Sequence, residues 1–161
     1  GYEEKGEIIF GIIFDPIKDE MFFAEKGLGA YLNNTRIRVS KQRKLTNSVL
    51  ATGGPKFNSK HKNFILSEYI KVSNAVHAPI RKFGSAALDL ANVACGRFDG
   101  FWQRELSYWD VAAGIIILKE AGGYVDFIHN DEKNLLKKNI IATNSNIHEE
   151  LMACILNKNI E

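Results

Sequence analysis

The chain has 161 residues, of which 45% are hydrophobic and 25% are charged, and its formal net charge is +2. These values are typical of a soluble globular protein with a core of its own, and we expect residues 1–161 to form a single domain. The net charge of +2 gives no case for nucleic acid as a partner. No apolar run reaches the roughly 18 residues that a membrane-spanning helix needs, so we expect no membrane partner.

The spacing of the two cysteines bears on the cellular compartment of the protein. Cys95 and Cys154 lie far apart and match no metal-binding or redox spacing. Two reduced cysteines in a cytoplasmic protein are the favoured interpretation, and we recognise no secretion signal.

The first third of the chain predicts short strands. An apolar, β-branched run and a second such run are separated by Asp15-Pro16, a turn signal, and therefore predict a hairpin. Further short strands are expected before the first candidate helix. The predicted strands are 7–14, 20–25, 30–32, 36–39 and 48–52.

A helix is expected next, capped by Asn58 or Ser59 and ending near Lys71. Its inward-facing side chains should be Phe64, Ile65, Tyr69 and Val72. A strand is then expected over 75–80. For Arg81 and Lys82, which follow it, a surface ion pair is favoured over attraction of phosphate towards a cleft.

The stretch from Gly84 to Gly123 reads as helix, strand, helix. The first helix should begin at Gly84-Ser85-Ala86 and end near Cys95, where Gly96 is a suitable terminator. Its alanine-rich interior allows close approach of a neighbouring helix. Its first amides lack helical acceptors and suit an anion or a hydroxyl-rich ligand.

The second helix of this stretch begins at Ser107 and contains Asp110 in its first turn. On spacing alone, Asp110 is interpreted as the partner of Ser107 in a capping box. The alternative is a carboxylate that faces a cleft and is available to a hard cation. Beyond this helix we expect strands at 124–128 and 140–143, then a helix that begins after Asn144-Ser145-Asn146. Alternating strands and helices predict the α/β class.

The motifs GSAALDLANVACGRFDGFW, WDVAAG and EAGG resemble the C-terminal signature of the inositol monophosphatase family. FDPIKDEMFF, GLGAYLN and RVS are similar to an earlier hairpin of that family. Asp15-Pro16 looks like the start of the family's DPxDGT metal motif but is not that motif, because Lys18 stands where its second Asp would be. The resemblance therefore implies a layered α/β fold and covers only the C-terminal portion of such an enzyme, without the N-terminal metal-binding half.

The resemblance also implies roles for individual residues. Asp110 would be a metal ligand, and Ser85 with the backbone of Gly84 and Ala86 would contact the leaving-group alcohol. Gln103 stands where the family commonly has Glu, so it would accept hydrogen bonds from substrate hydroxyls without charge assistance. Glu105 could compensate if the strand continued regularly.

The implied activity is Mg²⁺-dependent hydrolysis of a phosphorylated polyol or sugar. Because the DPxDGT loop is absent from the 161 residues, we expect the isolated chain to bind Mg²⁺ weakly and to be nearly inactive. Fructose 1,6-bisphosphate, a 3′-phosphonucleotide and histidinol phosphate remain alternative substrates. A non-catalytic role in transcription complexes, by analogy with some bacterial relatives, and a structural remnant that forms homo-oligomers also remain open.

Overall fold

A computed structural model describes residues 1–128 and 137–156 and confirms the α/β class. The described strands are β1 Tyr2–Glu4, β2 Glu7–Asp15, β3 Glu20–Glu25, β4 Gly29–Leu32, β5 Thr35–Arg36, β6 Leu50–Thr52, β7 Gly100–Ser107, β8 Tyr124–Phe127 and β9 Lys137–Thr143. The described helices are α1 Lys62–Ala75, α2 Ala86–Ala94, α3 Tyr108–Glu120 and α4 His148–Leu156. Within these described ranges, no helix is both long enough and apolar enough to cross a membrane.

The first sheet is an antiparallel meander in which β1 to β5 lie in chain order. The predicted hairpin is confirmed, since β2 pairs with β3 in a register that places Ile12 opposite Phe23. Side chains alternate along the strands, so Ile13 and Phe22 are buried while Ile12 and Phe14 are exposed. One face of this sheet therefore packs on the rest of the molecule and the other remains uncovered by the described residues.

The second sheet has the strand order β6-β7-β9-β8. β6 runs parallel to β7, whereas β9 is antiparallel to both β7 and β8. Neighbouring residues of β7 point to opposite faces, so Phe101 belongs to one apolar core and Trp102 to the other.

Helices α2 and α3 lie between the two sheets, and α1 and α4 pack together on the far face of the second sheet. This position explains the sequence of α3, which is buried from Val111 to Leu118 with no polar stripe. The expected close approach of α2 is confirmed at Gly114, where an added Cβ would lie only 2.5 Å from Leu90 Cδ1.

Several predicted boundaries are wrong. The strand expected over 75–80 does not form, because α1 continues to Ala75 and only Arg81 forms an isolated parallel bridge to Ala51. The strand expected over 36–39 is limited to β5. Phe64 is exposed rather than inward, and Glu68 occupies the buried face of α1 instead.

Candidate functional site

The candidate site lies where β6 ends beside β7, which continues as far as Ser107. Thr52, the last residue of β6, pairs with Trp102, so Gly53 and Gln103 follow together. In open α/β sheets, ligands bind in the crevice outside the carboxyl ends of parallel strands. The register of β6 and β7 therefore places Gln103 of β7 beside the carboxyl end of β6, where a ligand is expected.

The segment that leads into α2 lies beside β6. Arg81 runs parallel to β6 on its free side, because Arg81 N–H donates to Leu50 O at 2.9 Å and Thr52 N–H donates to Arg81 O at 2.9 Å. Four residues later, Ser85 caps α2, and its Oγ accepts a hydrogen bond from Leu88 N–H at 3.3 Å. The predicted start of this helix is therefore confirmed.

Two features at this helix end suit a ligand. Gly84 has a φ of +87°, and a Cβ built on it would meet no atom within 4 Å, so space is open there. Within the described part of the chain, the amides of Ala86 and Ala87 have no backbone or side-chain acceptor. Such amides at a helix N-terminus are donors for an anion or a hydroxyl.

Gln103 packs directly against Gly53. An added Cβ at Gly53 would lie 2.5 Å from Gln103 Nε2, so a larger residue there would require the Gln103 amide to move. The sequence predicted neither this contact nor the role of Gly53. The sequence feature that could have indicated this contact is the Gly53-Gly54 pair, which directly follows a short buried strand.

Glu105 does not join Gln103. The pairing of β7 with β9 shifts between Gln103 and Leu106, and Glu105 has a φ of +58°, in the left-handed region. Glu105 Oε1 instead accepts a hydrogen bond from Ser59 Oγ at 2.9 Å. The regular strand on which the compensating role of Glu105 depended is therefore absent.

Asp110 lies at the start of α3, just beyond the end of β7. It forms a capping box with Ser107, in which Asp110 Oδ2 accepts a hydrogen bond from Ser107 N–H at 2.9 Å. The capping interpretation is confirmed. Among the described residues, Asp110 Oδ1 has no hydrogen-bond partner, so one oxygen remains available after capping. The metal role of Asp110 stays a prediction.

A complete metal cage is not present in the described ranges, where no group of three or more His, Cys, Asp or Glu side chains could hold an ion. Asp110 alone fits the part of an Mg²⁺ shell that proteins usually supply, since Mg²⁺ takes one or two carboxylates and completes its shell with waters and phosphate oxygens.

Sequence reasoning missed Asp89, which is 1% exposed on the buried face of α2. Neither carboxyl oxygen has a hydrogen-bond partner among the described residues. Burial raises the pKa of Asp89 to about 6 from 3.8. The sequence feature that could have indicated this buried carboxyl is an acidic residue between Leu88 and Leu90 in an otherwise apolar helix.

Comparison with known proteins identifies the fold. The sequence profile described as "Inositol monophosphatase family" matches residues 1–161. The chain belongs to this family. The inositol-1-monophosphatase of Rhizobium meliloti is 42% identical over 153 residues, which are 95% of this chain and 57% of the relative. The Nus factor SuhB of Escherichia coli K12 is 40% identical. The match covers 92% of this chain and 55% of that relative.

Solved structures agree with the family assignment. The extragenic suppressor protein SuhB of Bartonella henselae is 45% identical and superimposes with a TM-score of 0.86 over 98% of this chain and 60% of its own. Inositol monophosphatase TM1415 of Thermotoga maritima is 37% identical, with a TM-score of 0.83 over 98% of this chain and 59% of its own. The chain therefore spans well under two thirds of the length of these relatives.

Proposed function

We propose that the protein containing this chain is a Mg²⁺-dependent phosphate-monoester hydrolase of the inositol monophosphatase type. Family membership supports the reaction class, and relatives at 42% and 39% identity are named inositol-1-monophosphatase. One structural arrangement supports the proposal: Arg81, four residues before the Ser85 cap of α2, pairs with one side of β6, and the strand that carries Gln103 pairs with the other side.

In this proposal, the leaving-group alcohol of a phosphorylated polyol or sugar lies against the start of α2. Ser85 and the backbone of Gly84 and Ala86 bind it, since the unpaired amides donate hydrogen bonds. Gln103 orients the hydroxyls beside it, because its carbonyl accepts and its NH₂ donates. The start of α2 is held by its Ser85 cap, and Gly53 leaves space beside the Gln103 amide.

Asp110 would hold the metal through Oδ1 while Oδ2 keeps its capping bond to Ser107. Mg²⁺ bound there would lower the pKa of a water molecule and neutralise phosphate charge. Capping fixes the carboxylate at the end of β7, so it does not have to be ordered when the ion binds.

We further propose that the 161-residue chain alone is nearly inactive. Its sequence contains no DPxDGT motif, and a single carboxylate should bind Mg²⁺ weakly. We also place the protein in the cytoplasm, in keeping with its reduced cysteines.

Phosphate release from inositol 1-phosphate at millimolar Mg²⁺ tests both statements. The full-length protein should turn over, its Asp110→Asn variant should lose at least a hundredfold in kcat, and the 161-residue chain should give no more than background. Rapid turnover by the short chain would refute its inactivity. A full-length protein that hydrolyses none of inositol 1-phosphate, fructose 1,6-bisphosphate, a 3′-phosphonucleotide and histidinol phosphate would refute the phosphatase proposal.

A second candidate function is a non-catalytic role in transcription complexes. It is favoured by relatives of 38% and 40% identity that are named Nus factor SuhB. Pull-down of RNA polymerase or antitermination factors with purified protein would support it, particularly if the Asp110→Asn variant binds equally well. Absence of binding by both proteins would remove this candidate.

A further inference from the structure

The loop between β6 and α1, residues 53–61, contacts β7 near both of its ends. At its start, Gly53 lies against Gln103, since a Cβ built on Gly53 would lie 2.5 Å from Gln103 Nε2. Near its end, Ser59 Oγ donates a hydrogen bond to Glu105 Oε1 at 2.9 Å. The β6–α1 loop therefore departs from beside Gln103 and returns to β7 only two residues further along that strand.

Glu105 adopts a backbone conformation that favours glycine. Its φ is +58° at the point where the pairing of β7 with β9 shifts, and its N–H donates to Asn139 Oδ1 at 3.0 Å. The left-handed region costs free energy for a residue with a Cβ, and glycine would avoid that cost. Strained conformations of this kind cluster at functional sites. The hydrogen bond to Ser59 is a role that glycine cannot fill, so it gives a physical reason for a glutamate here.

The Ser59–Glu105 hydrogen bond fixes the loop rather than the helix that follows it. Helix α1 is already held to β7 by the buried ion pair of Arg104 and Glu68. Ser59 Oγ also accepts a hydrogen bond from His61 N–H at 3.0 Å, so this one hydroxyl joins the last residues of the loop to Glu105.

Other contacts hold the β6–α1 loop only weakly. Phe57 at its tip is 90% exposed. Near its start, a Cβ built on Gly54 would lie 2.7 Å from Lys82 Nζ, but the lysine stem is flexible and the ammonium rests over the Tyr69 ring, 5.4 Å from its centre. No ion pair of the described residues involves Lys82 or Arg81, so the surface ion pair expected from the sequence does not form. The Ser59–Glu105 hydrogen bond is therefore the firmer restraint on the loop.

We propose that Glu105 is a positioning residue, which holds the β6–α1 loop against β7 through Ser59 and thereby keeps Gly53 in contact with the Gln103 amide. The restraint on the loop stands on these contacts alone, whereas its effect on substrate rests on the phosphatase function proposed above. Loss of the hydrogen bond should weaken binding of the polyol beside Gln103, because the loop must then be ordered when substrate binds. The chemical step should change little, because Glu105 acts through Ser59.

Hydrogen exchange of the full-length protein tests the restraint directly. Glu105→Ala should speed the exchange of amides in the β6–α1 loop by about tenfold, as expected for a lost hydrogen bond to a charged group. Glu105→Gln keeps an acceptor oxygen and should retain most of the protection. Ser67→Ala, which removes a hydroxyl that donates to Phe64 O at 2.7 Å on α1, is the matched control and should leave exchange in the loop unchanged.

Glu105→Gly separates the backbone strain from the hydrogen bond. Because glycine adopts a φ of +58° freely, this variant should be more stable in urea than Glu105→Ala, while its loop should exchange equally fast. Exchange of the loop at the wild-type rate in both variants would overturn the proposal.

Kinetics with inositol 1-phosphate and Mg²⁺ test the effect on substrate. Glu105→Ala should raise KM by about fivefold and change kcat by less than about twofold, and Glu105→Gln should restore most of the wild-type KM. An unchanged KM in Glu105→Ala would overturn the positioning role. If the wild type hydrolyses no ester, the proposed function fails, while hydrogen exchange still decides whether Glu105 holds the loop.

Discussion

Arg104 of β7 and Glu68 of α1 form an ion pair inside the molecule. Arg104 Nε donates to Glu68 Oε2 at 2.8 Å and Arg104 Nη2 donates to Glu68 Oε1 at 2.5 Å, with the two side chains 8% and 0% exposed. Phe64 covers the guanidinium, whose Cζ lies 4.9 Å from the ring centre. The pair fixes α1 to the strand segment that carries Gln103.

Removing one partner of this pair should destabilise the fold strongly. Glu68→Ala leaves the Arg104 guanidinium buried without a counter-charge, and we expect a loss of about 3–5 kcal/mol in the free energy of unfolding. Urea denaturation measures this loss. Glu7→Ala is the matched control, because the Glu7–Lys26 pair is more than half exposed at both ends and should contribute less than about 1 kcal/mol.

The double variant Glu68→Leu/Arg104→Met separates a lost charge pair from lost packing. Replacing both partners with apolar side chains leaves no buried charge, so it should recover most of the stability lost in Glu68→Ala. Equal losses in Glu68→Ala and Glu7→Ala would contradict the buried character of the Arg104 pair.

Gly114 should be intolerant of alanine, although alanine normally stabilises a helix interior by up to about 1 kcal/mol. An added Cβ would lie 2.5 Å from Leu90 Cδ1, and the resulting overpacking should cost about 1–3 kcal/mol. Thermal unfolding of Gly114→Ala measures whether the substitution stabilises or destabilises the fold. In a double-mutant cycle with Leu90→Ala the two losses should be less than additive, because the smaller residue 90 makes room for the methyl group. A stabilised Gly114→Ala would show that α2 and α3 are further apart.

Much of this architecture is predictable from the sequence, because local signals and tertiary packing agree. The β2–β3 hairpin, the Ser85 cap and the Ser107–Asp110 capping box depend on residues close in the chain, and all three are confirmed. The single-domain prediction for residues 1–161 stays a prediction.

The wrong predictions concern residues whose burial or position depends on residues distant in the sequence. Phe64 looks like a core residue by composition, yet Glu68 is buried because Arg104, 36 residues away, supplies its counter-charge. The position of Glu105 depends on a bulge that residue types alone do not predict. The contact of Gln103 with Gly53 follows from strand register, which no local pattern specifies.

The uncovered face of the first sheet predicts self-association. Ile12, Phe14 and Met21 are 49%, 52% and 40% exposed on this face, and Phe23 stacks on Tyr31 with ring centres 5.2 Å apart. A contiguous apolar surface of this kind favours association with a second copy of the chain. Sedimentation of the 161-residue chain should therefore give a dimer or a larger homo-oligomer.

A charge on that face should disrupt the assembly. Ile12→Glu keeps the strand but places a carboxylate in the expected contact, so the variant should sediment as a monomer. Ile17→Glu is the control, since Ile17 is 92% exposed in the turn after β2 and lies away from the face. A wild-type monomer, or a dimer unchanged by Ile12→Glu, would count against this interface.

Asp89 should make stability decrease as pH rises. Burial raises its pKa in the folded state to about 6, against 3.8 in the unfolded chain. The neutral acid is therefore favoured in the fold, so the contribution of Asp89 is fully present below pH 3.8 and is lost as pH rises through 6. A difference of about two pKa units corresponds to about 3 kcal/mol.

The Asp89→Asn variant isolates this contribution, because every other titrating group is shared with the wild type and cancels in the comparison. Urea unfolding of both proteins from pH 4 to pH 8 should show the variant gaining stability relative to the wild type by about 2.5 kcal/mol, most of it between pH 4 and pH 6. The amide is itself buried without a partner, so the variant is expected to be the less stable protein at the acid end. A stability difference that stays constant over this range would mean that the Asp89 carboxyl is hydrogen-bonded or hydrated in solution, and that the apolar packing around α2 opens there.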